Sequence, residues 1–146
     1  MTDEMIALAR RAMSCRGWRW MPGMADQFGR RVMQVYPNEL GFKWSHLLEN
    51  NVVRDADALP DLTDPATLGC LLALVREAWA APRALVRLSA NRKSFHVYDV
   101  DRDPMGGEWA AWLCGDRVLP TEAEALVAAL EAAPNTGGEH RREEER

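Results

Sequence analysis

The chain has 146 residues, is 47% hydrophobic and carries a formal charge of −4, which suits one compact domain with its own core and is too short for two. No stretch approaches the roughly 18 apolar residues of a membrane span, and the opening MTDEMIALARRAM is acidic where a secretory leader is basic, so a cytoplasmic location is expected. Cys15, Cys70 and Cys114 are odd in number, widely spaced and flanked by small or apolar residues, which predicts reduced packing thiols rather than a disulfide framework, a zinc site or any other metal or cofactor site.

Thr2 or Asp3 caps a first helix to about Ser14, with Met5, Ile6, Ala9, Ala12 and Met13 as its apolar stripe and Gly17 as its stop. The period then changes to two. Trp18 and Trp20 flank Arg19, predicting a strand that ends at Pro22 and Gly23, followed by a second strand over Arg31 to Tyr36 and a loop around Met24 to Gly29 that joins them as a hairpin. Between Pro37 and Pro60 the pattern yields only a helical turn at Trp44 to Leu48 and a short extended piece at Val52 and Val53. In LPDLTDPATLGCLLALVREAW, Thr63 and Asp64 supply N-caps and Pro65 occupies the first helical position. Leu68, Leu71, Leu72, Val75 and Trp79 recur at helical spacing, while Cys70, Ala73 and Leu74 fill the other side, predicting a helix buried at the centre of the domain. Strands follow at Ala84 to Leu88, Ser94 to Val100 and Glu108 to Cys114. A last helix opens on a capping box, Thr121 to Glu124, and carries Leu126, Val127, Ala129 and Leu130 on one side.

These elements add up to an α+β domain over residues 1–133, with three helices on an antiparallel sheet of about four to six strands and the helix at about 65–80 buried. Its expected core comprises Leu68, Leu71, Leu72, Val75, Trp79, Leu126, Leu130 and one of Trp18 or Trp20. Residues 134–146 contain no apolar side chain beyond the proline and predict a disordered charged tail.

Charge is unevenly divided. Residues 1–54 hold eight Arg or Lys against five Asp or Glu, a balance of +3, and residues 55–146 hold ten against seventeen, a balance of −7. Arg10, Arg11, Arg16, Arg19, Arg30 and Arg31 cluster around Trp18 and Trp20, and this set of eight is the candidate partner-binding surface. Arginine beside exposed tryptophan suits an acidic protein groove, or single-stranded nucleic acid through phosphate contact and stacking. The plainer alternative is that one tryptophan packs inward and the arginines form a solvated face.

Catalytic constellations are sparse. Asp99, Asp101 and Asp103 have the opening spacing of a calcium loop, but Pro104 and Ala110 stand where Gly and Glu are required. His96 with Asp99 or Asp101 could form an acid–base pair, although a histidine on the solvent face of a strand is the commoner arrangement. His46 and His140 converge on nothing, Ser14 and Ser45 have no base placed near them, and phosphate-cradling glycine motifs are missing. No catalytic residue is assigned, and the expectation is a protein that is not an enzyme.

The segments GWRWMPGM, LPDLTDPATLGCLLALVREAW and TEAEALVAALEAA together resemble a group of small uncharacterised proteins encoded by phages and prophages of GC-rich bacteria. The resemblance brings no activity, cofactor or catalytic residue with it. It implies origin in a mobile element and an accessory protein that binds a host or phage macromolecule within the host cell, such as an anti-CRISPR inhibitor of host defence.

Overall fold

The computed structural model describes residues 1–36, 41–44, 57–102, 113–114 and 117–134. Its elements run α1 (Asp3–Ser14), β1 (Val32–Tyr36), β2 (Gly41–Trp44), α2 (Pro65–Ala78), β3 (Ala84–Leu88), β4 (Phe95–Asp99) and α3 (Glu122–Glu131). The fold is α+β, but its strands do not form the expected sheet. Among the described residues they make two separate two-stranded antiparallel ribbons, β1–β2 and β3–β4, instead of one sheet of four to six.

The stretch expected as the first strand explains part of the difference. Residues Trp18 to Pro22 have no strand structure, and their alternation arises because Trp20 is buried while Arg19 reaches outward to Glu77. Alternating burial without a hydrogen-bond ladder mimics a strand. β1 therefore pairs with β2, with Val35 opposite Phe42 and Tyr36 opposite Gly41, and a bulge-like irregularity between Val32 and Gln34. The helical turn expected from Trp44 begins inside β2, and its remainder, the piece at Val52 and Val53 and most of the strand expected at Glu108 to Cys114 lie outside the described residues, as does the tail beyond Pro134. Of that last strand, Leu113 and Cys114 run beside β4: the Leu113 N–H donates to the Val97 carbonyl (2.8 Å) and the Val97 N–H to the Cys114 sulfur (3.4 Å).

All three helix starts follow from local chemistry. Thr2 caps α1, Asp64 caps α2 by accepting the Thr67 N–H, and Thr121 and Glu124 form a reciprocal capping box on α3. The end of α1 differs from expectation. Cys15 is its C-cap in an extended conformation, and Gly17 lacks the positive φ of a glycine stop. Gly17 is small for another reason, because a Cβ there would meet Leu130 Cδ1 at 3.0 Å and the Ala78 Cβ at 3.4 Å.

The central helix is α3, not α2. Ala123 and every residue from Ala125 to Leu130 are buried, and α3 packs against α1, α2, β3 and β4. Its alanines let neighbours approach on several sides at once. α2 buries one stripe, Thr67, Leu71, Leu74 and Val75, while Leu68, Leu72 and Trp79 are only partly covered. The Trp79 indole N–H donates to the Ala129 carbonyl at 2.8 Å, tying the end of α2 to α3. Leu126, Leu130 and Trp20 join the core as expected, together with Met24 and Val97, which were not foreseen.

Candidate functional site

The arginine and tryptophan cluster is only partly open to solvent. Trp20 is 7% exposed, and Trp18 meets it edge to face, with ring centroids 5.7 Å apart. A stacking platform needs a free ring face, which Trp20 lacks. Four of the arginines are engaged by acids of the domain itself: Arg11 with Glu131, Arg19 with Glu77, Arg30 with Asp26 and Arg31 with Asp64. Arg10 and Arg16 are exposed.

Arg11 and Arg16 line an open cleft of about 520 Å³ with Ser14, Gly17, Ala78 and Leu130. Here the C-terminal ends of all three helices meet, since Ser14, Ala78 and Glu131 are their last residues. Helix C-termini carry partial negative charge, so this cleft is poorly suited to phosphate despite its arginines. Hydrogen bonding to Arg19 lowers the Glu77 carboxyl, and hydrogen bonding to Glu131 raises the Arg11 guanidinium.

The most organised feature near this cluster is the loop from Ala25 to Arg31, which the sequence marks only as a connection. Asp26, fully buried, governs it. One carboxylate oxygen accepts the N–H groups of Phe28 (3.0 Å) and Arg30 (2.8 Å), the other accepts Arg30 Nε at 2.7 Å, and the Asp26 N–H donates to the Arg30 carbonyl. Gly29 takes φ +75°, a conformation that a glycine adopts cheaply. Gln27 clamps the loop to the segment before α2: its N–H donates to the Leu59 carbonyl, its side-chain carbonyl accepts the Leu59 N–H at 2.7 Å, and its amide donates to the Asp57 carbonyl.

A second set of bonds fixes the base of the loop to α2. The Ala25 N–H donates to the buried Thr67 hydroxyl, which donates in turn to Asp64, and Asp64 takes both terminal nitrogens of Arg31 at 3.1 Å. Hydrogen bonding from Arg31, reinforced by Thr67, holds the Asp64 carboxyl down at about 2.

At the apex of this braced loop stands Phe28, 68% exposed, with the Arg30 guanidinium 5.3 Å from its ring centroid. Met1, Met33, Leu88 and Val118 are also exposed, and of these five side chains Phe28 alone is aromatic. The Asp-x-x-Gly spacing in ADQFGR is a turn signal of the kind in which an Asp side chain bonds the backbone two residues on, but the exposure of Phe28 is a tertiary property.

The alternative enzymatic constellation is dispersed. Asp99 pairs with Arg102 and Asp101 with Arg83, while Asp103 lies outside the described residues. His96, expected on a solvent face, is 8% exposed, and burial pushes its pKa down. Ser14 Oγ donates to the Arg10 carbonyl, whereas Ser45, His46 and His140 lie outside the described residues. The three thiols are raised by burial, the opposite of what activates a nucleophile. Among the described residues no group of His, Cys, Asp and Glu has the geometry to hold a metal ion, and no helix is long and apolar enough to cross a membrane.

No family model matches this chain, and no curated protein or solved structure is significantly similar to it.

Proposed function

We propose that this chain is a non-enzymatic binding module that docks a protein partner through the Phe28 loop. The observation that carries the reading is the pairing of an exposed aromatic apex with a fully braced base. Leaving a phenylalanine in water forgoes about 2 kcal/mol of burial. The loop that does so is held by a buried carboxylate and by bonds to two other segments, so little ordering entropy remains to be lost on binding. Aromatic and arginine side chains together are the residue types that anchor protein interfaces, and Phe28 with Arg30 supplies both.

The biological setting proposed is that of a phage-type accessory protein in the host cytoplasm, acting on host defence in the manner of an anti-CRISPR protein. That role rests on the resemblance of GWRWMPGM and the two helical segments alone. Nucleic acid is the less favoured partner, because Arg11, Arg19, Arg30 and Arg31 already face acids of their own domain and the chain as a whole is negative.

The test is affinity capture from host lysate with the native chain and with Phe28→Ala in parallel, with and without nuclease and at two salt concentrations. A stoichiometric protein that resists nuclease and salt and is lost with Phe28→Ala supports the reading. Capture that persists unchanged in Phe28→Ala overturns the assignment of the loop, and recovery that depends on nucleic acid overturns the partner class.

A further inference from the structure

A second surface is the outer edge of β3. Along an antiparallel ribbon, pairs that exchange hydrogen bonds across the ladder alternate with pairs whose N–H and C=O groups point away from it. The parity is fixed here at both ends. The Ser89 N–H donates to the Ser94 carbonyl (2.8 Å), so that pair bonds inward, and with it Arg87–His96 and Leu85–Tyr98. On β4 the outward groups are engaged: the Phe95 N–H donates to the Leu119 carbonyl, and Val97 meets Leu113 and Cys114. Leu88 and Val86, opposite these two residues, therefore turn their own backbone groups away from the ribbon on the other side. Ala84, next in that series, is closed off, since its N–H donates to Ala81 and its carbonyl accepts Arg76 Nε at 2.8 Å. Among the described residues, no hydrogen bond reaches the outward N–H and C=O groups of Val86 and Leu88. Such an edge is a template for one more strand.

Charge decides which strand fits. Between Glu77 and Asp99 the chain carries Arg83, Arg87, Arg92 and Lys93 and no acid, in a protein of net charge −4. Arg83 pairs with Asp101, whereas Arg87, Arg92 and Lys93 are exposed and, among the described residues, in no salt bridge. A second copy of the chain is a poor occupant. The antiparallel register that uses all four open groups sets Val86 of one copy against Leu88 of the other and brings the two Arg87 side chains face to face, and like charges directly opposite are destabilising. An acid at that position makes the favourable pair instead. The residues on either side of the acid fall on the opposite face, beside Val86, which packs against the core, and Leu88, 45% exposed, where apolar side chains gain cover.

We propose that the outer edge of β3 binds an extended peptide of apolar–acidic–apolar pattern, added antiparallel to β3 with its acid opposite Arg87. The backbone groups of Val86 and Leu88 supply the affinity and Arg87 the choice of sequence. This site is independent of the docking role of Phe28.

The experiment is an NMR titration of the full chain with the capped peptide Gly-Glu-Ile-Glu-Ile-Thr-Gly at constant ionic strength. The peptide is expected to shift the Val86 and Leu88 amide signals saturably and, at saturation, to slow their hydrogen exchange. Replacing both Glu by Lys, or N-methylating both Ile to remove the donors that face β3, should each weaken binding by about tenfold or more. Arg87→Glu should reverse the preference between the Glu and Lys peptides, and Phe28→Ala should leave the titration unchanged. Equal affinity for the Glu and Lys peptides overturns the proposal, and binding indifferent to N-methylation overturns it by showing a charge contact without strand addition. Protection of the same two amides that rises with protein concentration in the absence of peptide places a second copy on the edge and overturns it as well.

Discussion

The buried carboxylate of Asp26 accepts the backbone N–H of Phe28 at 3.0 Å, so one of the least accessible polar side chains in the protein holds one of its most exposed rings in place. The two residues should separate cleanly by mutation. Phe28→Ala removes a side chain with little packing to lose, and its stability should stay within about 0.5 kcal/mol of the native chain, with partner affinity falling tenfold or more. Asp26→Ala strands the Phe28 and Arg30 N–H groups and the Arg30 side chain together, and should cost roughly 2–4 kcal/mol in urea unfolding. Comparable destabilisation by the two changes would contradict this division of roles.

Asp64 links α2 to the base of the same loop, and its ionisation makes that link sensitive to acid. Its folded pKa of about 2 lies below the ordinary 3.8, so its stabilising contribution is fully present above about pH 4 and is lost as pH falls towards 2. Asp64→Asn keeps a capping side chain but gives up the charge facing Arg31, and that acid-side loss should be absent from its stability profile. Asp64→Ala also loses the cap and should cost about 2 kcal/mol at neutral pH by denaturant titration.

His96 acts over a higher window. Burial lowers its folded pKa below the ordinary 6.5, so the unfolded chain binds the proton more readily. Stability should therefore decline as pH falls below about 6.5, and His96→Gln should flatten that part of the curve. A curve for the native chain that is level from pH 7 to 5, or a slope retained in His96→Gln, would show that the imidazole is not responsible.

Gly17 tests the packing of the three helix ends. An added methyl would meet Leu130 Cδ1 at 3.0 Å inside the core, and Gly17→Ala should cost about 1 kcal/mol despite an unstrained backbone. The paired change with Leu130→Val, which withdraws one methylene, should recover part of the loss if the steric account holds. Calorimetric or denaturant unfolding of the four combinations would measure the coupling.

The capping residues Thr2, Asp64 and Thr121 were legible in the sequence because a cap bonds N–H groups two or three positions away and needs nothing else from the fold. Which helix sits at the centre was not. α2 has the larger side chains, but the alanines at 123, 125, 128 and 129 let α3 be packed on several sides, and that depends on what surrounds it. The arginine cluster was visible as composition, whereas the acids that Arg11, Arg19 and Arg31 meet, Glu131, Glu77 and Asp64, lie far along the chain and carry no local signal. The turn chemistry of Asp26 and Gly29 can be read locally, whereas the outward projection of Phe28 depends on Gln27 reaching Asp57 and Leu59. Trp18 and Trp20 gave a false strand because alternation records burial, and burial can alternate along an irregular segment.

The meeting of the helix ends at Gly17 also bears on how much of the chain can be dispensed with. α3 has no basic residue in its last turn and finishes on Glu131, an acid at the negative end of its own dipole. The counter-charge comes from Arg11, one helix away, and α1 buries Ala9 and Ala12 in the same core. The first helix is thus a clasp on the central one. A chain trimmed of residues 1–14 would uncover the part of the core that Ala9 and Ala12 fill and leave the acid end of α3 without its counter-charge, so a protease or a protein engineer that removed this edge would loosen the helix at the centre.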